Sequence, residues 1–278
     1  MIGMMQGRLL PMIDNKIQAF PGEEWRNEFQ ILQEIGYECI ELTIDQKSWG
    51  IHPLLSLEQE IEEIVEDTGI KVIGVCCDVF MENPFFSTSN NEVIQSKKIL
   101  QDLIDGCSRH SIGMIELPML GKNSLLVNGK LSIDRVRQLN GIIKDIWDEV
   151  SDQKIMLALE ADLSPKDFIS VIEEYDDSIV GINYDTGNST FFGFDPEEEL
   201  NIYFKYIKNV HLKDCKRKEY SVPLGEGETN FKKISALLEK YGYRGNFIMQ
   251  AARQKDHIKA GIDYLNFFKS HFLINRLD

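Results

Sequence analysis

Short apolar runs alternate along the chain with longer segments whose apolar residues recur every three or four positions. Short runs of this kind are typical of buried strands, and the longer segments are typical of amphipathic helices. The strands are predicted at residues 2–7, 39–44, 71–77, 114–118, 155–160, 180–185, 209–214 and 246–250. The alternation therefore predicts parallel strands that are joined by helices.

Local signals mark the ends of several predicted helices. Apolar residues repeat at helical spacing from Trp25, and Gly36 follows them as a C-terminal cap. Ser164 precedes a proline, which is favoured at the first position of a helix. Ser56 with Gln59 predicts a capping box at the start of another helix.

Eight strand and helix units over 278 residues predict one closed (β/α)8 barrel. An open doubly wound sheet needs no eighth strand and usually carries a glycine-rich phosphate turn, for which Gly225-Glu-Gly227 is too short. No linker divides the chain, so we expect a single domain over residues 1–278. Polar residues at the carboxyl ends of the strands would then face the mouth, where barrel enzymes hold their active sites.

The composition limits the kinds of partner and compartment that we expect for the protein. A formal net charge of −15 opposes a phosphate backbone, and no basic run interrupts the acidic sequence, so nucleic acid is not an expected partner. The five cysteines form no Cys-x-x-Cys pair, which indicates reduced thiols and a cytoplasmic protein. No stretch has the length of a membrane span, and the N-terminus is predicted to be a first strand rather than an export signal.

Four polar residues end four successive predicted strands, which is the layout of a metal site in a barrel mouth. They are Glu160, Asp185, His211 and Gln250. Further acids at strand ends, among them Glu41, Asp78 and Glu116, would repel one another unless a cation neutralised some of them. We therefore predict one divalent cation, Mn²⁺ or Mg²⁺ by ligand type, with Zn²⁺ as the other candidate.

Residues 182–253 resemble the xylose isomerase-like barrels, and within them the pentulose phosphate 3-epimerases. The resemblance rests on Asp185-Thr-Gly-Asn188, Val210-His-Leu-Lys-Asp214 and Val222-Pro-Leu-Gly-Glu-Gly227, with weaker similarity at Ile40-Glu41-Leu42 and Leu157-Ala-Leu-Glu160. That family holds one divalent ion with Glu, Asp, His and Glu. The resemblance thus implies ligands at Glu160, Asp185 and His211, while Gln250 stands where the second glutamate is expected.

Gln250 changes what the resemblance implies about mechanism. In the family, two glutamates exchange protons on opposite faces of the substrate, and the metal stabilises an enediolate. A glutamine cannot transfer protons in this way, although its oxygen can coordinate a cation. Three hypotheses follow: Glu160 is the only base and works along one face; another acid such as Glu226 or Asp214 is recruited; or the protein binds a sugar without turning it over.

Other residues of the mouth indicate the substrate. Lys213 lies two residues after His211, on the same face of an extended strand, and is predicted to stabilise an enediolate oxygen or to bind an anionic group. Arg217 matches an arginine that touches substrate oxygens in the family. The other predicted substrate-binding residues are Asn188, Arg253, Lys122, Glu41 and Glu226.

The sequence thus predicts a metal-dependent isomerase or epimerase that acts through an enediolate on a small phosphorylated or acidic sugar. The alternatives are a keto-sugar or inosose dehydratase and a non-catalytic sugar-binding accessory protein. The other four histidines lie away from strand ends and are predicted to be structural, which argues against endonuclease relatives with histidine-rich zinc clusters. Association into homo-oligomers stays open.

Overall fold

The eight predicted strands are present in the computed structural model of the protein, which describes residues 1–272. They are Ile2–Met5 (β1), Cys39–Thr43 (β2), Lys71–Cys76 (β3), Met114–Met119 (β4), Met156–Ala161 (β5), Val180–Asp185 (β6), Ile207–Leu212 (β7) and Asn246–Met249 (β8). All eight are parallel and form a closed barrel in which β8 lies between β7 and β1. The predicted (β/α)8 barrel is confirmed, and residues 273–278 of the expected single domain lie outside the described residues.

Helices lie between the successive strands in the chain and after the last one. They are Trp25–Ile35 (α1), Glu60–Thr68 (α2), Val79–Glu82 (α3), Asn90–Arg109 (α4), Ile133–Asp152 (α5), Pro165–Ile172 (α6), Thr186–Phe192 (α7), Pro196–Tyr203 (α8), Phe231–Lys240 (α9) and His257–His271 (α10). Short 3₁₀ turns occur at Gly22–Glu24, Pro53–Leu55, Gly121–Asn123 and Phe204–Tyr206. None of these helices is both long and apolar enough to cross a bilayer.

Two small antiparallel hairpins follow barrel strands at the carboxyl end. Leu126–Val127 pairs with Lys130–Leu131 after β4, and Asp214–Cys215 pairs with Ser221–Val222 after β7. The loops that follow β4 and β7 therefore carry secondary structure of their own.

Alternation of side chains along the strands separates the core from the barrel interior. Ile40 and Leu42 of β2 belong to the large apolar core together with Phe29 of α1. Glu41, which lies between them in sequence, contacts His211 inside the barrel. The apolar layer between strands and helices thus holds the barrel together, and the interior contains polar residues beside a small apolar cluster of Met5, Cys39, Cys76 and Ile248.

Most of the predicted helix ends agree with the structure. Helix α1 begins at Trp25 and ends at Ile35, and Gly36 caps it with a positive φ of 96°, which suits a glycine. The hydroxyl of Ser164 accepts a hydrogen bond from the backbone N–H of Asp167, as expected for an N-cap of α6.

The predicted capping box of Ser56 and Gln59 is wrong. Helix α2 begins at Glu60, and the preceding Gln59 makes no capping hydrogen bond with its side chain. Ser56 instead ends the turn Pro53–Leu55, which His52 caps by accepting the backbone N–H of Leu54 at Nδ1. A ring nitrogen of His52 therefore caps this turn, in the role that a side-chain oxygen usually has, and the cap lies before the position that was predicted.

All five cysteines are buried and have free thiols, as predicted. Burial raises the pKa of Cys39 to about 12 and that of Cys215 to about 11. Both thiols are therefore protonated at neutral pH.

Candidate functional site

Three of the four predicted metal ligands converge at the carboxyl ends of neighbouring strands. Glu160 of β5, Asp185 of β6 and His211 of β7 each offer one ligand atom, and these atoms lie within 4.8 Å of one another. All three side chains are buried. A cation about 2.0–2.3 Å from each ligand fits among atoms at this separation.

Gln250, the fourth predicted ligand, directly follows β8, the strand beside β7. Its backbone N–H donates to the carbonyl of Leu212 at 3.0 Å, and its side-chain Nε2 donates to Oε1 of Gln18 at 3.2 Å. The side-chain Oε1 of Gln250 is buried and accepts no hydrogen bond. A buried amide oxygen without a donor is a suitable ligand for a hard cation, so the donor set of this site fits a divalent metal ion.

The buried carboxylate of Glu41 fixes the ring of His211. Nε2 of His211 lies 3.1 and 3.2 Å from the two oxygens of Glu41, and Nδ1 lies 3.3 Å from Oε2 of Glu160. Burial lowers the pKa of His211, but the charges and hydrogen bonds of Glu41 and Glu160 outweigh it and raise this pKa well above its usual value. Glu41, predicted as a substrate-binding residue, thus lies beneath the mouth and orients a candidate ligand.

Two asparagines that were not predicted complete this network. Nδ2 of Asn183 donates to Oε2 of Glu160 at 2.6 Å and lies 2.9 Å from Nδ1 of His211. Nδ2 of Asn209 donates to Glu41 at 2.8 Å and to Oδ1 of Asn183 at 3.0 Å. Each asparagine stands two residues before a predicted ligand on the same strand. Since side chains two residues apart share a face, this spacing was the signal that identifies them.

Lys213 and Asn188 lie over the ligand group on its mouth side. Nζ of Lys213 is 3.1 Å from Oδ2 of Asp185 and donates to Oδ1 of Asn188 at 2.8 Å. Nδ2 of Asn188 donates to Oε1 of Glu160 at 2.6 Å. Burial lowers the pKa of Lys213, but the charges of Asp185 and Glu160 raise it above its usual value, so the side chain is an ammonium at neutral pH.

Helix α7 positions Asp185 and Asn188. Oδ1 of Asp185 accepts the backbone N–H groups of Gly187 and Asn188 at 2.7 and 2.8 Å, which caps the helix and leaves Oδ2 free for Lys213. Gly187 lies against Lys213 so closely that a Cβ atom would overlap its side chain. The Asp-Thr-Gly-Asn motif therefore needs glycine at its third position to admit the lysine.

A cavity of about 300 Å³ opens beside Lys213 and Asn188. Its walls include Asp162, Phe191, Phe192, Cys215, Glu219 and Tyr220. The rings of Phe191 and Phe192 meet edge to face with centroids 5.1 Å apart. The volume is at the lower end of the range for small-molecule sites, which suits a ligand of sugar size.

Two predicted substrate-binding arginines are not among the residues that line this cavity. Arg253 donates to the backbone carbonyls of Gly7 and Leu10. Arg217 is exposed, and its guanidinium lies against Gly193 at the end of α7. The structure therefore does not bring either arginine to Lys213 and Asn188.

Two other predicted residues, Lys122 and Glu226, are exposed and also do not line the cavity. Asp214, the second acid considered as a replacement base, is buried. Its carboxylate accepts three backbone N–H groups of the loop at residues 225–229, at 2.9 to 3.1 Å. Asp214 thus holds the Gly-Glu-Gly loop in place.

Asp78, at the end of β3, is the acid connected to Gln250. Nε2 of Gln18 donates to Oδ2 of Asp78 at 2.8 Å, and Oε1 of the same Gln18 accepts the hydrogen bond from Gln250. Burial raises the pKa of Asp78 to about 6, with a further rise from the charge of Glu160, and the bond from Gln18 opposes both. A carboxyl group with a raised pKa therefore lies one side chain away from Gln250.

Comparison with known proteins gives consistent matches. The family described as xylose isomerase-like TIM barrel matches residues 29–268. L-ribulose-5-phosphate 3-epimerase UlaE of Salmonella heidelberg is 26% identical over 243 residues, which cover 84% of each chain. Among solved structures, L-ribulose 3-epimerase has a TM-score of 0.77 at 13% identity, covering 98% of this chain and 94% of the other. The IolI protein with a bound zinc atom has a TM-score of 0.70 at 15% identity, covering 98% and 99%.

Proposed function

Because the chain belongs to the xylose isomerase-like TIM barrel family, we propose that it is a metal-dependent isomerase or epimerase of a small ketose. The convergence of Glu160, Asp185 and His211 directly beneath Lys213 and Asn188 carries this proposal. The names of L-ribulose-5-phosphate 3-epimerase and L-ribulose 3-epimerase add support, since both reactions move a proton on a carbon next to a carbonyl.

The cation would be held by Glu160, Asp185 and His211, with Oε1 of Gln250 as the fourth ligand. The unpaired buried oxygen of Gln250 supports the last assignment. Oxygen and imidazole donors without a thiolate suit Mn²⁺ or Mg²⁺, and Zn²⁺ is also compatible. When bound, such a cation supplies Lewis-acid polarisation of a carbonyl oxygen.

Glu160 would remove the proton from the carbon next to the carbonyl. Hydrogen bonds from Asn183 and Asn188 at 2.6 Å hold its two oxygens in place, which orients the carboxylate toward the mouth. The ammonium of Lys213, beside Asn188, would donate to the substrate oxygen that gains negative charge during enediolate formation. These roles make Glu160 and Lys213 the proposed catalytic residues.

The second proton-transfer group decides between reaction types. The exposure of Glu226 and the loop contacts of Asp214 speak against either acid in that role. With Gln250 in the position of a second glutamate, Glu160 remains the principal base. Transfer along one face, as in an aldose–ketose isomerisation, needs no second acid, whereas 3-epimerisation needs one.

The composition supports a small sugar as partner and a cytoplasmic location. The net charge of −15 is unfavourable for nucleic acid, and five free thiols suit a reducing compartment. Homo-oligomer formation is a separate expectation that size measurement in solution would decide.

The test measures metal content and solvent exchange on the same samples. Protein incubated with Mn²⁺ and a ketose in D₂O is expected to place deuterium on the carbon next to the carbonyl, and EDTA should abolish the exchange. Glu160→Gln should stop exchange. Loss of water from the sugar would identify a dehydratase instead, and sugar binding without any exchange would identify a non-catalytic binding protein.

A further inference from the structure

The charges along the cavity beside Lys213 are unfavourable for a phosphate group. Among its described lining residues, Lys213 is the only lysine or arginine, and Asp162 and Glu219 are acids. The ammonium of Lys213 is already paired with Asp185 and bonded to Asn188. A phosphate ester carries about −1.5 to −2 charge at neutral pH, so it would meet a wall on which acids outnumber the cation.

The arginines of the mouth have other hydrogen-bond partners. Both terminal nitrogens of Arg253 donate to backbone carbonyls of the loop after β1. Those of Arg8 donate to the carbonyl of Ile17 and to Oε1 of Gln18. Arg217 lies in the exposed hairpin loop, outside the lining. The terminal nitrogens of Arg8 and Arg253 thus hold the mouth loops, and Nε of Arg8, which has no hydrogen-bond partner, is buried in a residue that does not line this cavity.

The remaining lining suits hydroxyl groups and C–H surfaces. Phe191 and Phe192 present aromatic surface, against which the carbon side of a sugar can pack. Carboxylates accept hydrogen bonds from hydroxyl groups, and Asp162 is fixed for this role by the hydroxyl of Ser124 at 2.8 Å. Glu219 offers a second acceptor on the same cavity.

We propose that the substrate is an uncharged ketose whose hydroxyl-bearing chain lies between Asp162, Glu219 and the Phe191–Phe192 wall. This inference rests on the proposed function and narrows it to sugars without a phosphate. It separates this protein from the L-ribulose-5-phosphate 3-epimerases that its sequence resembles, whose name specifies a phosphorylated sugar.

The first test uses matched pairs of probes on Mn²⁺-loaded protein: L-ribulose with L-ribulose 5-phosphate, and D-fructose with D-fructose 6-phosphate. Equilibrium binding is measured by calorimetry, and deuterium exchange is measured in parallel. We expect each free ketose that binds to do so at least about tenfold more tightly than its phosphate, which is about 1.4 kcal/mol. Tighter binding of a phosphate, or binding of neither free ketose, overturns the inference. Preferential binding of a free ketose without exchange upholds it and refutes the proposed function.

The second test changes the charge of the lining. Glu219→Lys should lower the preference for the free ketose roughly tenfold, because it replaces a repulsive charge by an attractive one. Glu174→Lys is the matched control, since Glu174 is an exposed acid between α6 and β6 and does not line the cavity. An equal change of preference in both variants would mean that the net charge of the protein, and not the lining of the cavity, sets the preference for the free ketose. The inference would then fail.

Discussion

The carboxylate of Glu41 lies 3.1 Å from Nε2 of His211, although 170 residues separate the two in sequence. The bond crosses the barrel interior from β2 to β7 and leaves Nδ1 of the ring facing Glu160 at 3.3 Å. A carboxylate on the far nitrogen of a ligating histidine fixes the tautomer and strengthens the other nitrogen as a ligand. Glu41 is therefore a positioning residue for the proposed metal site.

Replacing Glu41 by glutamine should weaken metal binding roughly 10- to 100-fold, because the neutral amide no longer orients and polarises the ring. Titration of the metal-free protein with Mn²⁺ measures the affinity, and ¹⁵N chemical shifts of His211 in the Zn²⁺-loaded protein report the tautomer. Glu116→Gln is the control, since Glu116 is an equally buried acid of the interior whose side chain makes no hydrogen bond to His211. An equal loss in both variants would contradict the positioning role.

Replacing Gln250 by glutamate should raise metal affinity about tenfold or more, because the site gains a negative charge. The metal-free variant should be less stable by about 1 kcal/mol, since the hydrogen bond from Nε2 to Gln18 is lost. Metal titration and urea unfolding in EDTA measure the two effects. Gln138→Glu adds the same charge at an exposed position on α5 and should leave both unchanged. Unchanged affinity in Gln250→Glu would remove residue 250 from the ligand set.

If a second acid takes part in the reaction, Asp78 is the residue we expect, because Gln18 connects it to Gln250. Asp78→Asn should then lower product formation roughly 10²- to 10⁴-fold while metal content stays the same. Combining it with Gln250→Glu should restore part of the rate, since a carboxylate returns to the mouth. Wild-type turnover in Asp78→Asn would show that Glu160 acts alone.

The loop that Asp214 holds should loosen when its charge is removed. Asp214→Asn is expected to lower the free energy of unfolding by about 1–3 kcal/mol, because an amide nitrogen then faces backbone N–H donors. Hydrogen exchange should become faster at residues 225–229. Glu226→Gln, in the same loop but exposed, should change neither quantity, and slow exchange in Asp214→Asn would refute the role.

Glu28 should make the protein less stable as the pH rises, which is the opposite of the usual effect of a carboxylate whose pKa is lowered on folding. Burial raises its pKa from 4.5 to about 7, although its carboxylate accepts the backbone N–H groups of Gly7 and Leu9. Between pH 4.5 and 7 the folded protein therefore binds more protons at this group than the unfolded chain does, so the contribution of Glu28 to stability falls as pH rises. The fall is at most about 3 kcal/mol.

Urea unfolding of the metal-free wild type and of Glu28→Gln at pH 5 and pH 8 tests this assignment. The glutamine does not titrate, so the free energy of unfolding of the wild type minus that of the variant should be smaller at pH 8 than at pH 5. A difference that stays constant or increases with pH would mean that Glu28 is ionised in the folded protein throughout this range.

The barrel was predictable because strands buried on both sides need apolar runs, and those runs mark all eight strands. The predicted strand boundaries were less exact where a backbone N–H group bonds to a side chain instead of to a neighbouring strand. Strand β7 was predicted to reach Asp214 but ends at Leu212, because the backbone N–H of Lys213 donates to the hydroxyl of Thr186 instead of to a neighbouring strand.

The convergence of Glu160, Asp185 and His211 was predictable because the fold places strand ends together, and the sequence locates the strand ends. The depth of Glu41 inside the barrel could not be predicted, since it depends on how the strands are staggered around the barrel. The contacts of Arg253 were equally hidden, because its carbonyl partners Gly7 and Leu10 come from the opposite end of the chain. Residues of long loops, such as Gln18, carry no periodic signal at all.

Strand β8 enters the ring between β7 and β1, so the barrel closes only with the last of its strands to leave the ribosome. Until that moment β1 and β7 each expose an unpaired parallel edge, and the nascent chain is most open to wrong association late in translation. Gln250 follows this same strand. The proposed four-ligand centre can therefore form only after synthesis has passed this strand, and metal binding there would mark the completed ring.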